Sequence, residues 1–92
     1  MPVVYRRFFE DSRVVFEKSK EALQNLSFTI TSEDPEKGVI HAHKNDHGVT
    51  HVELTIGQDR DRGTIIDVKQ GGEGRYRDVG LRILNDLSSI LR

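Results

Sequence analysis

Apolar residues recur along this chain at two periods, and the two periods predict two kinds of element. Over residues 13–26 and 75–91 they return every three or four positions, which indicates two amphipathic helices. The buried stripe of the first helix comprises Val15, Phe16, Ser19, Ala22, Leu23 and Leu26. That of the second comprises Val79, Ile83, Leu87 and Ile90. Asp11 and Ser12 precede the first helix as candidate N-caps.

Alternation of apolar and polar residues predicts the strands. Residues 49–56 alternate most clearly, with Val52 and Leu54 on one face and His51 and Glu53 on the other. Further strands are predicted over residues 3–9, 27–32, 39–44 and 64–70, with breaks at 33–38, 45–48, 57–63 and 71–74. Both faces of the first strand carry apolar groups, so its inward face stays open. The predicted order is β-α-β-β-β-β-α.

Two helices that each bury one stripe need a common apolar surface, and the strands offer one on a single face. We therefore predict an α+β fold in which both helices pack on one face of a mainly antiparallel sheet, as a single domain over residues 1–92. Gly80 lies inside the second helix, which predicts a close contact there. The predicted core comprises Val15, Ala22, Leu23, Leu26, Val52, Leu54, Ile66, Val79, Ile83 and Leu87.

Composition narrows the classes of function. With 14 basic and 15 acidic residues the net charge is −1, so the sequence predicts no nucleic-acid partner. The absence of cysteine excludes disulfides and thiolate chemistry. No apolar run approaches the length of a membrane span, and residues 1–7 include charged residues and lack the apolar region typical of a signal peptide. The sequence as written predicts a cytoplasmic location, and a periplasmic one if a leader was removed.

Several segments together resemble a known group. These are the turn at residues 32–40, the strand at 64–68, the glycine-acid pair at 72–73 and the helix segment at 83–87. They resemble an uncharacterised bacterial small-lipoprotein domain family, which is similar to the domains of the Bam-complex lipoprotein. The resemblance implies a non-enzymatic envelope or accessory domain, and it brings no catalytic residues with it.

Three histidines form the main cluster of candidate chemistry. His41 and His43 share one face of their strand, and a loop at residues 46–48 would set His43 opposite His51 and His41 opposite Glu53. Imidazoles and a carboxylate at such distances are candidate zinc ligands, namely His41, His43, His51 and Glu53. The alternative is a solvated polar sheet face, or one that responds to pH through its imidazoles.

Two other kinds of site have only partial support in the sequence. Residues 71–75 follow a strand and open a helix, as phosphate-binding loops do, but they lack the P-loop Lys-Ser/Thr, and Glu73 would repel a phosphate. The serines lie far along the chain from the histidines, and an open sheet face does not exclude water. The sequence therefore predicts that the protein is not an enzyme and holds no cofactor.

The main interpretation is a non-catalytic protein-interaction or accessory domain. Its partner, another protein or a second copy, would meet the exposed sheet face or a strand edge, because unpaired edges invite pairing. Val39, Val49 and Ile65 are the apolar members of that otherwise polar face. The alternative is a small-ligand or metal-binding module that uses the histidine-bearing face.

Overall fold

The elements follow one another in the predicted order. The computed structural model describes residues 3–45, 48–58, 63–72 and 79–91. Within them lie strands β1 (Val3–Phe8), β2 (Thr29–Asp34), β3 (Val39–Asn45), β4 (Val49–Gln58) and β5 (Thr64–Gly72), and helices α1 (Ser12–Asn25) and α2 (Val79–Ile90). The five strands form one sheet in the order β1-β5-β4-β3-β2, and every neighbouring pair is antiparallel. The predicted fold class is confirmed.

Both helices lie on the same face of the sheet, as predicted. Helix α1 contacts β2 and β4, α2 contacts β1 and β5, and the helices contact each other. The predicted core is buried throughout, except that Leu26 is half-buried against it. Leu23, Leu54, Ile66 and Leu87 are fully buried at its centre.

The first strand turns Val4, Arg6 and Phe8 towards the helices, which settles the face that its sequence leaves open. Phe8 is buried, and Arg6 Nη1 donates a hydrogen bond to Ser88 Oγ of α2 at 3.0 Å. Tyr5 on the opposite face is 71% exposed. The predicted strand includes Phe9, but the strand ends at Phe8 and Phe9 is 95% exposed.

Several element boundaries differ from the predicted ones for local reasons. β2 begins at Thr29 instead of residue 27, because Ser27 adopts a left-handed φ of 67° and the Phe28 N–H bonds to Leu23 O at the end of α1. The ladder between β4 and β5 continues to Gln58 and Gly72, which shortens both predicted breaks. Asp11 occupies the N-cap position of α1 but makes no side-chain capping bond. The predicted start of the second helix at residue 75 lies outside the described residues.

Among the described residues, no helix has the length and apolar character needed to cross a membrane.

Gly80 allows α2 to approach the sheet closely. A Cβ built at this position overlaps Val4 Cγ2 of β1 and lies 3.6 Å from Val68 of β5. The predicted close contact is therefore a contact between helix and sheet. This contact explains why the position holds glycine, although glycine inside a helix destabilises the protein by about 1 kcal/mol relative to alanine.

We expect Gly80→Ala to lower the free energy of unfolding, because the overlap costs about 1–3 kcal/mol and outweighs the gain in helix propensity. Urea denaturation measures the change. Gly57→Ala is the matched control, since a Cβ at Gly57 meets no atom within 4 Å. A Gly80→Ala protein as stable as the Gly57→Ala protein would contradict the close approach.

Candidate functional site

An open groove lies where the start of α1, the β2–β3 turn and the end of β4 come together. Its volume is about 760 Å³, within the usual range of roughly 300–1,000 Å³ for small-molecule sites. The apolar lining comes from Phe16, Pro35 and Ile56, and the charged lining from Arg13, Glu17, Glu36 and Lys37. Ser12, Gly38, Gly57 and Gln58 complete it.

Backbone hydrogen bonds fix the turn that forms one wall of the groove. Gly38 has a φ of 70°, and its N–H donates to Asp34 O at 2.8 Å. Its carbonyl accepts the Ile56 N–H at 2.7 Å, which ties the turn to β4. A Cβ at Gly38 would overlap the Ile56 carbonyl oxygen, so both the left-handed conformation and the close approach require glycine.

The opposite wall is the first turn of α1, and Glu10, which precedes this helix, is hydrogen-bonded to the start of β5. Thr64 Oγ1 donates to Glu10 O at 2.7 Å, just before the helix begins. Thr64 is fully buried, whereas Glu10 is half-buried. The start of α1 is thereby held beside the sheet at a fixed position.

The base of the groove is apolar. Phe16 and Ile56 are both only 5% exposed and belong to the main core. The ammonium group of Lys20 lies 5.6 Å from the centre of the Phe16 ring. A flat apolar group entering the groove would therefore meet side chains that the core holds in place.

Two basic residues and a helix N-terminus lie on the rim of the groove. The first-turn N–H groups of a helix have no intrahelical partners and carry partial positive charge. α1 has no acidic residue in its first turn, Asp11 does not cap it, and Arg13 extends from that turn. Lys37 adds a second cation from the opposite wall.

Two carboxylates also line the groove, and one of them is already paired. Glu17 Oε1 lies 3.1 Å from Lys20 Nζ, which also contacts Glu33 Oε1 at 3.2 Å. Hydrogen bonds to Glu17 and then Glu33 raise the pKa of Lys20 above its usual value. Glu17 therefore shares the charge of Lys20 with Glu33, and Glu36 is exposed on the turn.

The predicted histidine cluster lies on the opposite side of the sheet. As predicted, His43 pairs with His51 and His41 with Glu53. His41 Nε2 donates to Glu53 Oε2 at 2.8 Å, since an ionised carboxylate can only accept. The His43 and His51 ring centres are 6.3 Å apart. The described residues contain no group of three or more His, Asp or Glu side chains that could hold a metal ion.

Only part of the glycine-rich segment at residues 71–75 lies within the described residues. Gly71 and Gly72 belong to β5 and do not break the chain as predicted, because they pair with His51 and Thr50 of β4. Residues 73–75 lie outside the described residues.

Sequence reasoning did not identify the groove. The pattern gives the turn at residues 33–38 and the start of α1 as separate features, and no spacing indicates that they meet. The one local signal is Gly38, whose left-handed φ and contact with Ile56 make it a fixed point of the wall. From the sequence alone Arg13 resembles any solvated helix residue, and only the fold shows that Lys37 lies across the groove from it.

Comparisons with known proteins give similarity in structure alone. No protein-family model matches the chain, and no curated protein matches it. One similar solved structure is the adenylate sensor from AMP-activated protein kinase complexed with ATP, at TM-score 0.67 and 17% identity over 92% of each chain. A second is the same sensor in complex with 5-aminoimidazole-4-carboxamide 1-beta-D-ribofuranotide (ZMP), at TM-score 0.64 and 15% identity over 94% of each chain.

The resemblance to the Bam-complex lipoprotein domains is wrong, because the chain is similar in structure to the adenylate sensor instead. The segments behind that resemblance serve the fold itself. Gly38 is required by its φ and by its contact with Ile56, and residues 83–87 supply the apolar stripe of α2. Such features recur wherever a turn or an amphipathic helix is needed. At these identities the similarity to the adenylate sensor establishes the fold.

Proposed function

We propose that this chain is a non-catalytic regulatory module that binds a small anionic ligand of the nucleotide class in the groove beside α1. The observation that carries the proposal is the groove itself, which joins an apolar base to a rim where Arg13, Lys37 and the start of α1 can contact an anion. Small-molecule sites are typically concave and mostly apolar, with a few polar groups that fix orientation. Phe16 and Ile56 supply the apolar part, and Arg13 and Lys37 supply the polar part.

The two ends of the groove match the two ends of a nucleotide. A planar base can lie against Phe16, Pro35 and Ile56, where apolar burial contributes roughly 25 cal/mol per Å². A phosphate can approach the first turn of α1 and Arg13, since a guanidinium forms paired hydrogen bonds to phosphate oxygens. Both groups of the ligand then bind without any large movement of the walls.

The neighbours of the same fold support this ligand class and suggest the probe. They are adenylate sensors, complexed with ATP in one structure and with ZMP in the other. Both ligands are ribonucleotides that combine a ring with phosphate. The groove of this chain offers complementary chemistry, which makes AMP and ATP the first compounds to test.

The proposal includes no catalysis. The described lining residues include the hydroxyl of Ser12 but no histidine that could act as its base. The groove is open to water, whereas a catalytic site usually excludes it to strengthen its electrostatic interactions. Binding would therefore act by stabilising the arrangement of α1 and the β2–β3 turn.

We expect AMP to shift the backbone amide resonances of the first turn of α1, the β2–β3 turn and the end of β4 in an NMR titration. Arg13→Ala should weaken binding about fivefold to tenfold, which corresponds to roughly 1.0–1.4 kcal/mol. Raising the salt concentration should also weaken binding, because the rim charges are exposed.

Lys18→Ala is the matched control. Lys18 lies on the same helix but outside the groove, where it pairs with Glu21 at 3.5 Å. Equal affinity losses for the Arg13 and Lys18 variants would mean that net charge alone attracts the nucleotide. Shifts confined to the histidine face, or no shifts at millimolar AMP, would contradict the proposal.

Zinc binding by the histidine face stays a second, separate hypothesis. The observation in its favour is the pairing of His41 with Glu53 beside that of His43 with His51. Closed zinc sites take four ligands in tetrahedral arrangement, and each pair supplies two. The ligand set would be the predicted His41, His43, His51 and Glu53.

We expect zinc at modest excess to leave the melting temperature unchanged, because the existing pairs would have to rearrange before one ion could bind all four side chains. The imidazole resonances of the three histidines report the same event residue by residue. A joint shift of all three, together with a higher melting temperature, would instead establish the zinc site.

A further inference from the structure

The side of the sheet that faces away from the helices carries no described element. We call it the open face, and its residues lie in rows across the strands. One row runs from Lys69 on β5 to Glu53 on β4 and His41 on β3. The next contains Tyr5 on β1 and Val39 on β3, joined through Asp67 and Thr55.

We propose that the open face binds a second copy of this chain, through a two-fold axis that runs parallel to the strands between β4 and β5. A two-fold interface must be complementary to itself, since each patch meets its own copy. An axis in this position sets β4 of one copy over β5 of the other. It also sets β1 over β3, and it keeps every residue in its own row.

Charge complementarity selects this axis. Lys69 of each copy then faces Glu53 of the other, which gives two ion pairs between oppositely charged side chains. An axis along β4 would place Glu53 over its own copy, and an axis along β5 would do the same to Lys69. Like charges held face to face are unfavourable, so both neighbouring positions are disfavoured.

The sizes of the side chains agree with the same axis. Ile65 of one copy faces Gly57 of the other, because these two residues are partners in the β4–β5 ladder. A Cβ at Gly57 would meet no atom within 4 Å, so there is space for the isoleucine. In the next row the exposed ring of Tyr5 faces the half-buried side chain of Val39 of the second copy, and the contact removes apolar surface from water.

The geometry of packed sheets permits these contacts. Sheets that pack face to face lie about 10 Å apart and cross at roughly 30°, so the rows match best near the axis. Lys69, Glu53, Ile65 and Gly57 all lie on the two strands beside it. His41 bonds to Oε2 of Glu53, and the lysine of the second copy would approach Oε1.

Charge reversal with mixing tests the proposal. We expect sedimentation to show a dimer of the unmodified chain at high micromolar concentration. Lys69→Glu and Glu53→Lys should each weaken that dimer at least tenfold, because each sets like charges together across the axis. An equal mixture of the two variants should restore the dimer, because every pair of side chains that face each other across the axis then carries opposite charges.

The mixing experiment distinguishes repulsion across the dimer interface from repulsion between the two side chains within one copy. Lys69 and Glu53 are also neighbours inside each copy, and a variant weakened by that internal repulsion would stay monomeric in the mixture. Lys18→Glu and Glu21→Lys form the matched control on the outer surface of α1, and they should leave the dimer unchanged. Melting temperatures confirm that all the variants are folded.

A monomer of the unmodified chain at high micromolar concentration would overturn the proposal, and so would a mixture that fails to dimerise. Neither result would bear on the groove, because Lys69 and Glu53 do not line it. AMP binding measured on the same samples keeps the two proposals apart.

Discussion

The burial of both helices on one face of the sheet is the constraint on which the rest of this structure depends. Leu23 of α1 and Leu87 of α2 are fully shielded from water, and so are Leu54 and Ile66 of the strands beneath them. Each such side chain contributes roughly 1.5–3 kcal/mol relative to an exposed one. Because side chains alternate along a strand, this burial also determines which residues point to the other side. The histidines and the charged row lie there for that reason.

The groove arises where this packing ends. Helix α1 begins beyond the edge of the buried core, and the β2–β3 turn reaches the same region because Gly38 bonds to Ile56. Phe16 and Ile56 belong at once to the core and to the base of the groove. The core therefore holds the base of the groove in place, while the charged rim consists of side chains that water can reach. β4 serves both surfaces, since Ile56 faces the groove and Glu53 the open face.

Features that depend on periodicity were predictable from the sequence. The alternation around Val52 and Leu54 gave the correct face of β4, and the loop length gave the pairing of His43 with His51. Gly80 predicts the close contact that the structure shows, because glycine is unfavourable inside a helix unless close packing requires it. Each of these inferences uses residues that are near one another in the chain or are related by one hairpin.

Features that depend on distant contacts were not predictable. Phe9 reads as a strand residue by composition, and only the end of the β1–β5 ladder at Phe8 shows that it is exposed. The groove needs residue 13, residue 37 and residue 56 to meet, and no pattern in the sequence encodes that meeting. The resemblance to lipoprotein domains failed for a related reason. It relied on turn and helix signals that many α+β chains share.

The most direct test of the proposed function is a crystal structure of the chain grown with AMP. We predict electron density for the nucleotide in the groove, with its ring against Phe16 and Ile56 and its phosphate within hydrogen-bond distance of Arg13 or the first turn of α1. Density on the histidine face, or an empty groove at saturating AMP, would contradict the proposal that this groove is the ligand site.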